Sequence, residues 1–383
     1  MTRPLETAQR IVIKLGSALI FQRSEGTVQL NWMRTLAADV ARLIAEGKEV
    51  LIVSSGAAAL GRNFETRGRQ VIMREQALLS SRQAASAIGQ PRLMAAFNDA
   101  FSQVDIAVAQ ALLTLDDTEI RKRWLNARAT LFELLNLGVV PVINENDTVA
   151  TSEIRYGDND RLAARVAQMI GADVLILFSD IDGLYTADPR NNPGAEHISD
   201  LNSITAEVRA YAGDANKTAG VGTGGMTTKL DAAEIAWSAG CSTIITAGFH
   251  DHPIQRLLDG GRSTTIHANI SPHDARMSWL AGHLTPEGAV TIDAGAEKAL
   301  LGGASLLPVG VTRCSGQFSR GAAIAIHNAA GKIIAKGVTA YSHNEINMIK
   351  GLQSGDVSAR LGYPARTAII HRDDMILTSV VKG

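Results

Sequence analysis

Two lysines stand where a chain could handle phosphate. Lys14 ends the apolar run RIVIKLG, and Lys229 falls one turn into a helix that follows the glycine-rich segment GVGTGGMTTK, residues 220–229. A glycine turn lets backbone N–H groups approach a phosphate closely. The helix N-terminus adds a partial positive charge, and Lys229 adds a full one. Met226 rather than lysine follows Gly225, so this is not a Walker loop. A third segment has the opposite character: from Ile143 to Asp160 the chain collects Asn144, Glu145, Asn146, Asp147, Glu153, Asp158, Asn159 and Asp160 directly after an apolar run. Taken alone, such a stretch suits a solvated loop, or the cap of a helix begun at Arg161.

These residues need elements to place them. The first third of the chain alternates apolar runs with helical periodicity: RIVIKLG, then Trp32, Leu36, Val40, Leu43 and Ile44 on one helical face, then EVLIVSSG. Further runs follow in VDIAVAQALL, GVVPVINEND, ADVLILFSD and CSTIITAG, spaced for crossover helices. Continuous apolar runs predict strands buried on both faces, hence an α/β fold whose mostly parallel sheet has helices on either side. In such a sheet the ligand crevice lies beyond the carboxyl ends of the strands. Lys14, Ser54-Ser55-Gly56, Asn144 to Asp147 and Ser179-Asp180 all end runs, so they are expected to converge on one edge. Leu230, Ala233 and Trp237 form a helical stripe with Met226 behind the glycine turn.

A chain of 383 residues exceeds what one core usually organises, and two domains follow. The first is expected over 1–265 and a linker over 266–286, where turn formers gather and no long amphipathic helix is expected. A small, mainly β domain is expected over 287–383, from the short runs AVTID, SLLPVGV, AAIAIHN, KIIAKGV and TAIIHRDD. A hydrophobic share of 46% and a charged share of 20% describe an ordinary globular composition. The formal net charge of −1 gives no global attraction to nucleic acid or to an anionic membrane. The start lacks a signal-peptide core and no run spans a bilayer, so a cytoplasmic location is expected. Cys241 and Cys314 lack metal-ligand spacing. The histidines of HDH, residues 250–252, read as solvated loop residues, and no side chain is assigned to a metal.

Taken in order, VIKLGSAL, VSSGA, VPVINENDTVAT, GDND, SDIDGLYTADPR and GTGGMTTK resemble the amino acid kinase family, and within it the branch that phosphorylates glutamate in the first step of proline synthesis. The tail SLLPVGV, FSRG and HRDDMI resembles the PUA domain appended to many such kinases. The resemblance covers nearly the whole chain and implies a three-layer αβα sandwich with a PUA-like domain behind it. ATP and L-glutamate are the implied substrates, with Mg²⁺ as the accompanying ion. The resemblance also implies that Lys14 and Lys229 contact the transferring phosphoryl group and that Asp160 holds the two lysines. Ser55, Asp147 and Asn159 resemble the glutamate contacts. Ser179, Asp180, Thr223, Gly224, Gly225, Met226, Thr227, Thr228 and Lys229 resemble the ATP site. Ser54 and Ser179 stand where threonine is common in the family, and DANKTAGV departs from its usual loop.

Two other readings stand beside this one. Aspartate, one methylene shorter, is the nearer alternative as substrate. RNA binding is the alternative for the tail, whose residues 286–383 hold ten Lys/Arg against seven Asp/Glu but only Phe318, Tyr341 and Tyr363 as aromatics, a thin supply for base stacking. A homo-oligomer is expected, as is hand-over of the unstable acyl phosphate to the next enzyme.

Overall fold

The computed structural model describes residues 4–22, 27–66, 69–72, 78–149, 159–213, 225–283 and 285–378. Eight strands form the main sheet: β1 Arg10–Lys14, β2 Glu49–Val53, β3 Val108–Leu113, β4 Val140–Glu145, β5 Val174–Ser179, β6 Asp200–Leu201, β7 Ser242–Ala247 and β8 Ser263–Ile266. Their order in space is β6-β8-β7-β5-β1-β2-β4-β3. Neighbours are parallel throughout except β7 with β8, which run antiparallel. The five apolar runs after RIVIKLG became β2, β3, β4, β5 and β7; the edge strand β6 and its neighbour β8 carry no such run.

Alternation along each strand explains why these runs are continuously apolar. Ile11 and Ile13 of β1, Val50 and Ile52 of β2, and Val174, Ile176 and Phe178 of β5 enter one core with the helices α1 Leu30–Ala45 and α3 Leu79–Ser102. Val12, Leu51, Val53, Leu175 and Leu177 enter a second core with α4 Arg121–Asn136, α5 Asn159–Ile170 and α6 Met226–Ser238. Both faces are therefore buried, giving three layers, and each fully buried aliphatic side chain contributes about 1.5–3 kcal/mol. The parity matters for the site. Lys14 continues the series of Val12, so it belongs to the face covered by α5 and α6.

From β1 the chain builds outward through β2 on one side and through β5 and β7 on the other. That reversal opens a crevice beyond the carboxyl ends of the central strands. Lys14, Ser54-Ser55, Glu145, Ser179 and Ala247 all lie on this edge.

One helix contact fixes a wall of the crevice. The short helix α2, Ala57–Arg62, crosses α3 at Gly61 and Gly89. A Cβ on Gly89 would lie 1.7 Å from the Ala57 carbonyl oxygen, and one on Gly61 would lie 1.7 Å from that of Ala85. Both obstacles are backbone atoms, so a side chain there forces the helices apart. Gly89→Ala should lose about 1–3 kcal/mol of stability, the usual cost of overpacking. Denaturant unfolding checks this, and an unchanged midpoint would overturn the close crossing.

The contacts divide the chain into Met1–Pro272 and His273–Gly383. The second unit has a five-stranded sheet ordered Val311–Gly316, Gly288–Ile292, Ala323–His327, Ile333–Val338 and Met375–Leu377. Its core gathers Val290, Ile292, Ile324, Ile326, Ile346, Ile349, Ile369 and Ile370. The stretch expected as a linker, 266–286, holds a helix over Pro272–His283, with Pro272 in its first turn. One expectation needs correcting. TAIIHRDD is not a strand: it makes one bridge, Leu306 to Ile370, then a 3₁₀ turn over Arg372–Asp374.

Candidate active site

Asp160 lies one residue into α5, with its carboxylate 1% exposed. Its Oδ1 meets Lys14 Nζ at 2.6 Å and its Oδ2 meets Lys229 Nζ at 3.0 Å. Thr228 Oγ1 also donates to Oδ2, at 3.2 Å. Lys14, Asp160 and Lys229 come from β1, α5 and α6, so the sheet edge and two helix N-termini must be placed before the cluster exists. Both lysines are buried, at 6% and 5% exposure. Burial by itself would push the Asp160 carboxyl up. The two adjacent ammonium groups outweigh it and hold the carboxyl well below the usual carboxylate range. One carboxylate between two lysines leaves a net positive charge in a buried place, a configuration that a phosphate anion completes.

The alternative of Asp160 as a mere helix cap is set aside by this geometry, because both oxygens are engaged by lysines. Asn159 and Asp160 already belong to the helix, ahead of Arg161. At the start of α6, Gly225 is extended and offers no side-chain cap of its own. The first turn of that helix opens beside Asp160, which its Thr228 and Lys229 reach, so a helix N-terminus and a lysine share this edge. Met226 is part-buried against the core, Thr227 is exposed and Thr228 reaches Asp160. Thr223 and Gly224 lie outside the described residues, as do Glu153 and Asp158.

A second cluster sits at the ends of β2 and β4. Asn159 is buried, and its amide donates to the Ser54 carbonyl at 2.5 Å and to Asn144 Oδ1 at 2.9 Å. Asn144 Oδ1 also accepts from the Glu145 N–H at 2.9 Å. This ties α5 to the turn that carries Ser55, which is half-buried. Asp147 receives the hydroxyl of Ser86 from α3. Burial pushes the Asp147 carboxyl up, against the opposing effects of Ser86 and the Arg82 charge. Ser86 did not emerge from the sequence, because it lies 61 positions from Asp147 in a helix with no motif around it. A small residue one turn before Gly89 was the only available signal.

At the end of β5, Ser179 Oγ donates to Asp180 Oδ1 at 3.1 Å. A cleft of about 240 Å³ opens beside them, lined among others by Asp180, Arg190, Phe249, His250, Pro253 and Arg262. His252 is not simply solvated, since its Nδ1 lies 2.9 Å from Asp39 Oδ1. Among the described residues no helix is long and apolar enough to cross a membrane.

Comparison with known proteins shows what the chain is similar to. Two curated relatives, both named glutamate 5-kinase, match nearly end to end. The one from Paramagnetospirillum magneticum is 50% identical over 374 residues, 98% of this chain and 99% of its own. The one from Caulobacter vibrioides is 52% identical over 370 residues, 97% of each chain. Among solved structures, the UMP kinase of Bacillus anthracis covers 69% of this chain at 13% identity and a TM-score of 0.47. The PUA domain model matches residues 288–361. The model of the amino acid kinase family matches residues 9–247, most of the unit that carries both lysines and Asp160, and the chain belongs to that family.

Proposed function

We propose that the chain transfers the γ-phosphoryl group of ATP to the γ-carboxylate of L-glutamate, forming γ-glutamyl phosphate, the first step of proline synthesis. The observation that carries the site assignment is the convergence of Lys14 and Lys229 on Asp160 at the carboxyl edge of a parallel sheet. A glutamate side chain has a pKa of about 4.3, so the attacking carboxylate is ionised at neutral pH and no general base is needed. Its oxygen attacks the γ-phosphorus, and the bond from that phosphorus to the β,γ-bridging oxygen breaks as ADP leaves. The obstacle is the approach of one anion to another. Lys14, Lys229 and the N–H groups that open α6 neutralise the charge, and Asp160 fixes where the lysines stand.

Mg²⁺ would accompany ATP and offset the charge of its phosphates. No cluster of three or more His, Cys, Asp or Glu suited to a metal occurs among the described residues. The base and ribose occupy the cleft beside Ser179 and Asp180. Asp147 takes the substrate's α-ammonium, with Ser55 and Asn159 alongside. Asp147 is part-buried and accepts from the Ser86 hydroxyl, and a cationic group offsets the cost of burying its charge. The acyl phosphate hydrolyses readily in water, which favours hand-over to the next enzyme and an oligomer that shields the site.

The RNA reading of the tail finds little support. Phe318 and Tyr341 are buried in the second unit's core, and the Tyr363 hydroxyl donates to Glu345 at 2.7 Å, with Arg320 over its ring.

The test is ATP-dependent formation of a hydroxylamine-trappable acyl phosphate, with glutamate, aspartate and acetylglutamate compared. Glutamate should be preferred. Acetylglutamate lacks the ammonium group, and its equal turnover would remove Asp147 from substrate binding. In the same assay Asp147→Ala should raise the glutamate KM about tenfold to a hundredfold, the scale of a lost charged hydrogen bond, with the ATP KM little changed. Because burial raises the Asp147 pKa, kcat/KM for glutamate should fall on acidification at a higher pH than an ordinary aspartate would cause. A rise confined to the ATP KM would reassign the residue.

A further inference from the structure

Helix α1 buries a carboxylate that the reaction does not use. Asp39 is 1% exposed, and a buried charge persists only where it is compensated. Its Oδ2 accepts from the N–H groups of Ile254 at 2.9 Å and Gln255 at 3.0 Å. Its Oδ1 lies 2.9 Å from His252 Nδ1 and 3.0 Å from a guanidinium nitrogen of Arg42. Thr35 Oγ1, one turn earlier, accepts from the His252 N–H at 3.0 Å. Trp32 Nε1 donates to the His250 carbonyl at 3.1 Å. Positions 32, 35 and 39 share a helix face, and all three grip the single segment 250–255.

That segment does not hold itself. His252 sits in the left-handed region at φ 51°, uncommon for a residue with a side chain, and does not cap the helix Pro253–Leu258 that it precedes. Asp39 supplies the missing cap from another element. The segment follows β7, whose neighbour β5 ends in Ser179. Phe249, His250 and Pro253 line the same cleft as Asp180 and Arg190. Phe249 is 57% exposed and its ring lies 4.4 Å from that of His250 in the same segment, so its position follows this backbone.

We propose that Asp39 is a positioning residue for the nucleotide cleft, setting the affinity for ATP through the 250–255 segment without touching the nucleotide. The proposal rests on the assignment of that cleft to ATP. Asp39→Asn keeps the shape but removes the charge and one acceptor. It should weaken ATP binding, measured by calorimetry, about tenfold, with the glutamate KM within about twofold and kcat at saturating ATP near the wild-type value. Thr35→Val removes one acceptor of the same grip and should shift ATP binding in the same direction by a smaller factor. It decides the matter if Asp39→Asn does not fold. ATP binding unchanged in both variants, or ATP and glutamate constants rising together, would overturn the proposal. A wild-type protein that binds ATP poorly overturns the cleft assignment itself, and this proposal with it.

Discussion

Lys229→Ala should lower kcat by about a hundredfold or more, and Lys14→Ala should do the same. Each ammonium stands on the shared carboxylate with little solvent around it, 3.0 Å and 2.6 Å from Asp160 respectively, so neither is a surface charge that salt or water could replace. Charge moves toward the β,γ-bridging oxygen as the phosphoryl group transfers, and a fixed donor there stabilises the transition state more than the ground state. Loss of one such donor in other enzymes costs about 2.7–4 kcal/mol. Steady-state kcat at saturating ATP and glutamate is the measurement, with an unfolding curve on each variant to separate lost chemistry from lost fold. A near-normal kcat in either variant would remove that lysine from phosphoryl transfer and leave it as a structural partner of Asp160.

How far the sequence foretold this site depends on what each feature needs in order to be seen. The sheet was legible because burial on both faces forces continuous apolar runs, and because parallel strands carry their carboxyl ends to a common edge. Lys14 and Ser179 could be placed on that edge before any coordinates. The roles of Lys14, Asp160 and Lys229 came from family resemblance, and the geometry brings the three together. Contacts made across the fold were not legible. Ser86 reaches Asp147 from α3, a helix with weak apolar periodicity and an internal Pro91, whose place depends on the Gly61 and Gly89 crossing. Asp39 sits on an apolar helix face, and beyond the nearby Arg42 its partners lie 213 to 216 positions away, where no local pattern points to them. Asn159, read as a glutamate contact, has its amide donor engaged by Ser54 and Asn144, so it also joins the two halves of the crevice.

Asp160→Asn should damage both stability and turnover, and the two losses have one cause. Asparagine fills the same space, so the variant isolates the charge. Without it two buried ammonium groups lose their counter-ion, and breaking a buried pair by removing one member costs about 3–5 kcal/mol. The pH dependence gives an independent check on sign. The folded-state pKa of Asp160 lies below its unfolded value of about 3.9, so its contribution is fully present above that value and is lost as pH falls through the depressed folded pKa. Wild type should therefore lose stability in acid through this residue, and the asparagine variant should lack that component. Anions offer a further discriminator. With the carboxylate gone, the two lysines lose the counter-ion that they share. ATP or pyrophosphate should then raise the unfolding midpoint of the variant more than that of wild type, by linkage of binding to folding. Turnover should still fall about a hundredfold, because lysines that settle on the ground-state phosphates are no longer held where the transition state needs them. A variant that unfolds like wild type and keeps its kcat would show that other groups position the lysines. Loss of kcat with stability intact would confine Asp160 to aiming them.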